Sequence, residues 1–266
     1  MVSASATFSG PQYYDSCLGP VWFESYAADL AQRLPRRPPG DLLEIACGTG
    51  IVTRRLRDRL DRPLRLVATD LSKPMLDYAR SKSEERKGIE WREADALKLP
   101  FEDGSFGAVV CGFGIMFVPD RAAALKEVRR VLVEDGVLLF NVWDRFETNP
   151  AAVTNAEVLE SLFPGDTEIR FRAPWNMHDP DLLRGLLAGA RFREVRIETK
   201  RVPIEGADPR AIATGQIRGT HRSALIEKHG VSLDTVIDQV AAALERSGGN
   251  PYNGFSQAVV IEARAL

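Results

Sequence analysis

Two glycines and three carboxylates are the residues best suited to do chemistry in this sequence. Glu44 lies in the apolar run Leu42-Leu43-Glu44-Ile45, Gly48 and Gly50 follow at once, and Asp70 comes 20 residues past Gly50, with Asp95 farther on. Glycine accepts positive φ and lets a ligand approach the backbone closely. A helix starting just after such a turn offers unpaired N–H groups and the positive end of its dipole. A carboxylate about this far downstream can accept hydrogen bonds from both hydroxyls of a ribose. The set points to a nucleoside-type pocket. Residues able to move a proton beside it, Tyr14, Asp144, His178 and His221, are scattered, and no spacing builds a nucleophilic triad or a metal site.

Such a pocket needs a strand, a tight turn and a helix in succession. Residues 41–46 read as the strand and 51–60 as the helix, with the glycines between them. Residues 64–69 form a second apolar strand ended by Asp70. Ser72 is a helix cap with Pro74 in the first turn, and Leu71, Met75 and Ala79 share one helical face. Residues 89–94 are a third strand, followed by Asp95 and Ala96. Cys111-Gly112-Phe113-Gly114 follows a fourth, Asp120 caps a helix, and 137–142 is a fifth. Strands alternating with helices imply an α/β parallel sheet. Upstream, Trp22, Tyr26, Leu30 and Leu34 recur every four residues along a helix over 21–34. Downstream, 151–162 and 180–190 are helical, 192–199 is a sixth strand, 208–249 is a helical excursion and 255–263 is the last strand. The layout is an N-terminal helical lid (1–40), a core (41–146), an insertion (147–178) and a C-terminal part (179–266) carrying the 208–249 excursion.

The pattern Glu44-x-Ala46-x-Gly48-x-Gly50 resembles the first motif of class I S-adenosylmethionine (SAM) dependent methyltransferases. Leu99-Pro100-Phe101 through Val110, and Val128-Arg129-Arg130-Val131-Leu132 through Leu139, are similar to two runs of the type 11, ubiquinone-biosynthesis-like group. The chain departs from the pattern at Ala46, usually glycine, and at Gly107, usually aspartate. The resemblance implies a Rossmann-like seven-stranded sheet with helices on both faces, an antiparallel last strand and helical insertions. It implies SAM as cofactor, with Glu44, Ala46, Gly48 and Gly50 forming the turn and Asp70 on the ribose. Leu71 and Met75 would lie near the adenine, Asp95 would accept from its amino group, and Ala96 would let the ring lie close. Cys111 and Phe113 would border the methyl-transfer pocket, and Tyr13 or Tyr14 would touch the methionine end. The implied reaction is in-line methyl transfer to a small molecule, which needs positioning and little water rather than a catalytic motif. Phe171, Trp175 and His178 fall in the insertion where an acceptor would bind.

Composition narrows the partners. A net charge of −2 leaves no basic excess to track nucleic acid. The run Arg54-Arg55-Leu56-Arg57-Asp58-Arg59, with Arg62, fits the wet face of a helix. Cys17, Cys47 and Cys111 have no zinc or disulfide spacing, which fits a reducing, cytoplasmic setting. No apolar stretch reaches membrane-spanning length, and the first residues lack the apolar run of a signal peptide. Two other readings stay in play. A nicotinamide-dependent oxidoreductase would need Gly-x-Gly-x-x-Gly, but Ile51, Val52 and Thr53 follow Gly50. A SAM-binding protein without turnover would share the whole pocket. The substrate, the accepting atom and the oligomeric state are not written in the sequence.

Overall fold

Apolar runs separated by helices become the strands of one seven-stranded sheet in a computed structural model that describes residues 10–35, 38–60, 64–170 and 172–266. The strands are β1 (Leu42–Glu44), β2 (Leu66–Asp70), β3 (Ile89–Glu93), β4 (Phe106–Gly112), β5 (Leu132–Trp143), β6 (Phe192–Ala207) and β7 (Tyr252–Ala265). Their order is β3-β2-β1-β4-β5-β7-β6. β1 pairs in parallel with β2 and β4, β2 with β3, and β4 with β5, whereas β7 runs antiparallel to β5. Parallel strands bring all their C-terminal ends to one edge. Ala46, Asp70, Phe113 and Trp143 therefore reach the same rim although they are far apart in sequence.

The chain divides into two compact units. The sheet unit holds Tyr26–Asp144, Ala173–Lys200 and Ala258–Leu266. One of its cores packs Leu30 and Leu34, Leu56 of the Ile51–Arg59 helix, and the strand residues Leu42, Val110 and Leu139. The helical unit, within residues 10–25, 145–172 and 201–257, has a core of its own. Its helices Pro150–Leu162, Pro209–Arg218 and Leu233–Gly248 bury Leu159, Ile212 and Ile217, and Val236, Val240 and Leu244.

Several local readings change. The expected 21–34 helix is preceded by a π-helix, Tyr14–Phe23, with Pro20 inside it, and the regular helix spans Glu24–Arg33. A proline interior to a helix removes an N–H and displaces the local ladder. β1 is shorter than expected because Ala46 already turns to φ 51. Ser72 stands at the start of the Lys73–Ser81 helix but makes no side-chain cap; its N–H donates to Asp70 Oδ1 instead, at 2.8 Å. Asp120 does cap Arg121–Val131, accepting from Ala123 N–H at 2.8 Å.

The arginine run is not a uniformly wet face. Arg57 is buried and donates to the Leu64 and Leu60 carbonyls at 2.8 and 3.2 Å, while Arg59 donates to the Leu34 carbonyl. Arg62 and Phe171 lie outside the described residues. Gly107, where the resembled run carries aspartate, is required here: a Cβ would stand 2.5 Å from Gly40 N. Among the described residues, no helix is long and apolar enough to cross a membrane.

Candidate functional site

The turn after β1 is assembled from backbone conformations that few side chains tolerate. Ala46, Gly48 and Gly50 have φ of 51°, 55° and 78°. Cys47 N–H donates to the Thr69 carbonyl at 2.9 Å, and Gly50 N–H returns to the Cys47 carbonyl at 2.9 Å, which closes the turn. Thr69 Oγ1 donates to the Glu44 carbonyl at 3.0 Å and ties β2 to β1. Gly50 is packed: a Cβ would come within 3.0 Å of the Ala79 Cβ and 3.1 Å of the Trp91 ring. At Gly48 a Cβ would meet nothing within 4 Å, so the inner side of the turn is a cradle.

Asp70 is fixed against that cradle. Its Oδ2 accepts from Gly48 N–H at 2.8 Å while Oδ1 accepts from Ser72 N–H. With three backbone N–H donors upon it, the carboxylate keeps a lone pair for a ligand hydroxyl. Burial raises the Asp70 pKa, with the backbone N–H groups of Ser72, Gly48 and Leu71 pulling it back. Glu44 is buried beneath the turn, and its Oε2 has no hydrogen-bond partner among the described residues. Burial pushes its carboxyl up to about 8; the nearby Thr53 and Arg54 oppose that rise and the Asp70 charge adds to it. A buried polar oxygen without a partner is costly and marks a place where a cationic or donor group would be welcome.

The other expected positions are divided between the two units. Leu71 is 68% exposed, an unusual state for leucine, and Met75 is half-buried on the next helix. Asp95 is exposed and accepts from Leu97 N–H at 2.9 Å, with Ala96 beside it. Cys111 and Phe113 are both buried. Burial pushes the Cys111 thiol up to about 12 and Cys47 well above its ordinary value, so neither is a thiolate nucleophile at neutral pH. Tyr14 belongs to the helical unit, where its ring stacks on Phe23 at 4.8 Å. His221 is also there, at the head of Arg222–Lys228, with its pKa lowered by burial and by the Arg222 charge. His229 pairs with Asp166 through Nε2 at 2.9 Å. Among the described residues, no cluster of His, Cys, Asp and Glu could hold a metal ion.

Three residues of this rim escape sequence reasoning. Asn141 Oδ1 accepts from Phe113 N–H at 2.9 Å and holds Phe113 at φ 55°. A fully buried asparagine in the apolar run of β5 was the available signal, since a polar group there needs a specific partner. Trp143 stacks on Phe113 with centroids 4.2 Å apart, and Tyr26 meets both rings edge-on. Nothing short of the fold brings Tyr26 next to β4 and β5.

Gly114 separates two of these loops. A Cβ there would stand 2.4 Å from the Ala46 Cβ and 2.9 Å from Cys111 Sγ. Gly114→Ala is expected to lower stability by about 1–3 kcal/mol, the range for overpacking. Chemical denaturation checks it, and an unchanged midpoint would show that the two loops can part freely.

The rim, the glycine turn and the strand order together define a Rossmann-like architecture. Residues 43–140 match the model of the methyltransferase domain family. Over 119 residues the chain is 34% identical to the demethylmenaquinone methyltransferase of Staphylococcus aureus, covering 45% of this chain and 48% of that protein. The chain thus spans about half the length of the curated relatives it matches. Its fold is similar to that of the YcgJ protein of Bacillus subtilis (TM-score 0.59, 17% identity, 90% of this chain and 98% of that one). It is also similar to that of Haemonchus contortus phosphoethanolamine N-methyltransferase 2 in complex with SAM (TM-score 0.62, 16% identity, 96% and 56%).

Proposed function

We propose that the chain is a SAM-dependent methyltransferase that acts on a small molecule. The observation that carries this reading is the Gly48–Asp70 hydrogen bond, which locks a ribose-reading carboxylate against an open glycine turn. The buried Glu44 with its unpartnered oxygen beneath the same turn fits a cofactor bearing positive charge. Asp70 would hold the ribose hydroxyls, Leu71 and Met75 would flank the adenine, and Asp95 would accept from its amino group. The Gly48 and Gly50 backbone would face the amino-acid portion. When bound, SAM supplies a methyl group already activated on a sulfonium.

The chain's own work is then to orient that group, keep water away and let an acceptor approach in line. The buried rings of Phe113 and Trp143 beside the turn give a dry wall for that step. Cys17, Cys47 and Cys111 are all unpaired, in keeping with a reducing, cytoplasmic setting. Calorimetry of the full chain with SAM and with NAD tests the reading. Saturable SAM binding and no NAD binding are expected, with label passing from SAM to a component of a metabolite extract. NAD binding would favour an oxidoreductase, and SAM binding without transfer would favour a non-catalytic module.

A further inference from the structure

An open cleft of about 460 Å³ lies within the sheet unit, away from the glycine turn. It is lined by Lys126, Arg129 and Arg130, by Leu132 at the start of β5, and by Arg191. β5 runs from Leu132 to Trp143 on the rim, so the length of a strand separates the cleft from the edge that carries the turn. Among the described residues that line it, Asp103 is the only carboxylate against four cations, in a chain whose net charge is −2.

Arg130 is taken up by the fold. Its Nε and Nη2 donate to Glu127 at 2.9 and 2.8 Å, and its Nη1 donates to Asp103 at 2.8 Å and to the Phe101 carbonyl at 2.7 Å. Asp103 is thereby engaged as well. Lys126, Arg129 and Arg191 have no ion pair among the described residues. Arg129 donates to the Leu132 and Leu266 carbonyls, but its Nε is buried without a hydrogen-bond partner among the described residues. A buried donor left without an acceptor is costly.

Two helices, Arg121–Val131 and Pro180–Gly189, end beside the cleft. A helix C-terminus favours cations, but its dipole amounts to only roughly half a negative charge. Two such ends do not balance three unpaired cations. Two details also oppose a purely structural role. Lys126 and Arg130 stand four residues apart on one helix, a like-charge spacing that weakens it. Arg191 has φ 63° just past the second helix, where glycine would be free of strain. The chain thus sets a long cation beside the cleft in a backbone conformation that arginine resists.

We propose that this cleft binds the diphosphate group of a small anion, at a site separate from the glycine turn. Guanidinium forks match phosphate oxygens in pairs, and lysine adds a point charge. Lys126 and Arg129 come from one helix and Arg191 from another segment, so a ligand that meets all three presents anionic oxygens on more than one centre. The inference goes beyond methyl transfer and does not rest on it.

Equilibrium dialysis of the full chain at low salt, with pyrophosphate and orthophosphate, tests it. One saturable site is expected, with pyrophosphate bound about tenfold tighter, the scale of one charge-assisted hydrogen bond. Uridine diphosphate separates the two sources of the group: tighter binding than pyrophosphate assigns a nucleotide, weaker binding the free anion. Lys126→Gln and Arg191→Gly should each weaken pyrophosphate binding about fivefold, the upper end for an exposed ion pair. Arg191→Gly should keep the wild-type urea midpoint or raise it, since glycine takes that φ freely, so its lost affinity is not lost folding. Lys87→Gln removes an exposed lysine just before β3, at the far edge of the sheet, and should change nothing. The proposal is overturned by non-saturable binding, by orthophosphate binding as tightly as pyrophosphate, or by unchanged affinity in both cleft variants. An equal loss in Lys87→Gln overturns it too, since net charge alone would then be at work, as does displacement of pyrophosphate by S-adenosylhomocysteine. A chain that binds pyrophosphate here but no SAM would keep this site and sink the methyl-transfer reading.

Discussion

Asp70→Ala should weaken SAM binding by about 1.5–3 kcal/mol, the scale for hydrogen bonds to a charged group, or roughly 10- to 150-fold in Kd. The loss has two sources. The carboxylate that would face the ribose disappears, and the Gly48 N–H, which donates to Asp70 Oδ2 at 2.8 Å, loses its partner in a half-buried turn. Asp70→Asn separates the two. An amide oxygen can still accept from Gly48 N–H and hold the turn, but it offers the ligand one acceptor atom in place of two. The asparagine variant should therefore fall between the wild type and alanine in calorimetry, and its unfolding midpoint should also fall, because its NH2 group would meet the Ser72 N–H from which Asp70 Oδ1 now accepts. Equal SAM affinity in all three proteins would remove Asp70 from the site.

Much of this strand, turn and helix is local in sequence, which is why their conformation could be read there. A strand of three buried residues, a turn needing positive φ and a helix starting at Ile51 are each encoded within a dozen positions, and Asp70 is placed by the length of one helix and one strand. What was illegible is long-range. Arg57 looked like part of a wet face because its own helix gives no hint that the Leu60 and Leu64 carbonyls close over it. Gly107 looked like a loss of aspartate, whereas the approach of Gly40 to within 2.5 Å of a would-be Cβ makes glycine the residue that fits. Trp143, Tyr26 and Trp175 come from three segments and meet only through the sheet order, which no local period encodes.

Glu44 should make the free protein less stable as pH rises, the reverse of an ordinary salt-bridged carboxylate. Its carboxyl is pushed up to about 8 by burial in the native state, against about 4.3 in an unfolded chain. Below the unfolded value both states hold the proton, and stability is at its full level. Between the two values the unfolded chain has released the proton while the native one retains it, so stability falls by up to roughly 1.4 kcal/mol per pH unit. Above the native value both states are ionised and the decline stops. Asp70, also raised by burial, adds a slope of the same sign, so the informative quantity is the difference between the wild type and Glu44→Gln, which is neutral throughout. Urea midpoints at pH 5, 6, 7 and 8 should converge at the acid end and separate toward pH 8, with Glu44→Gln the more stable there. A cationic cofactor above the turn reverses the balance, because a positive charge favours the ionised carboxylate. SAM binding should then expel a proton near neutral pH, and its heat should differ between phosphate and Tris buffers in the wild type but not in Glu44→Gln. Parallel urea curves for the two proteins would mean that Glu44 is already ionised in the free protein, and the buffer-dependent heat would then vanish as well.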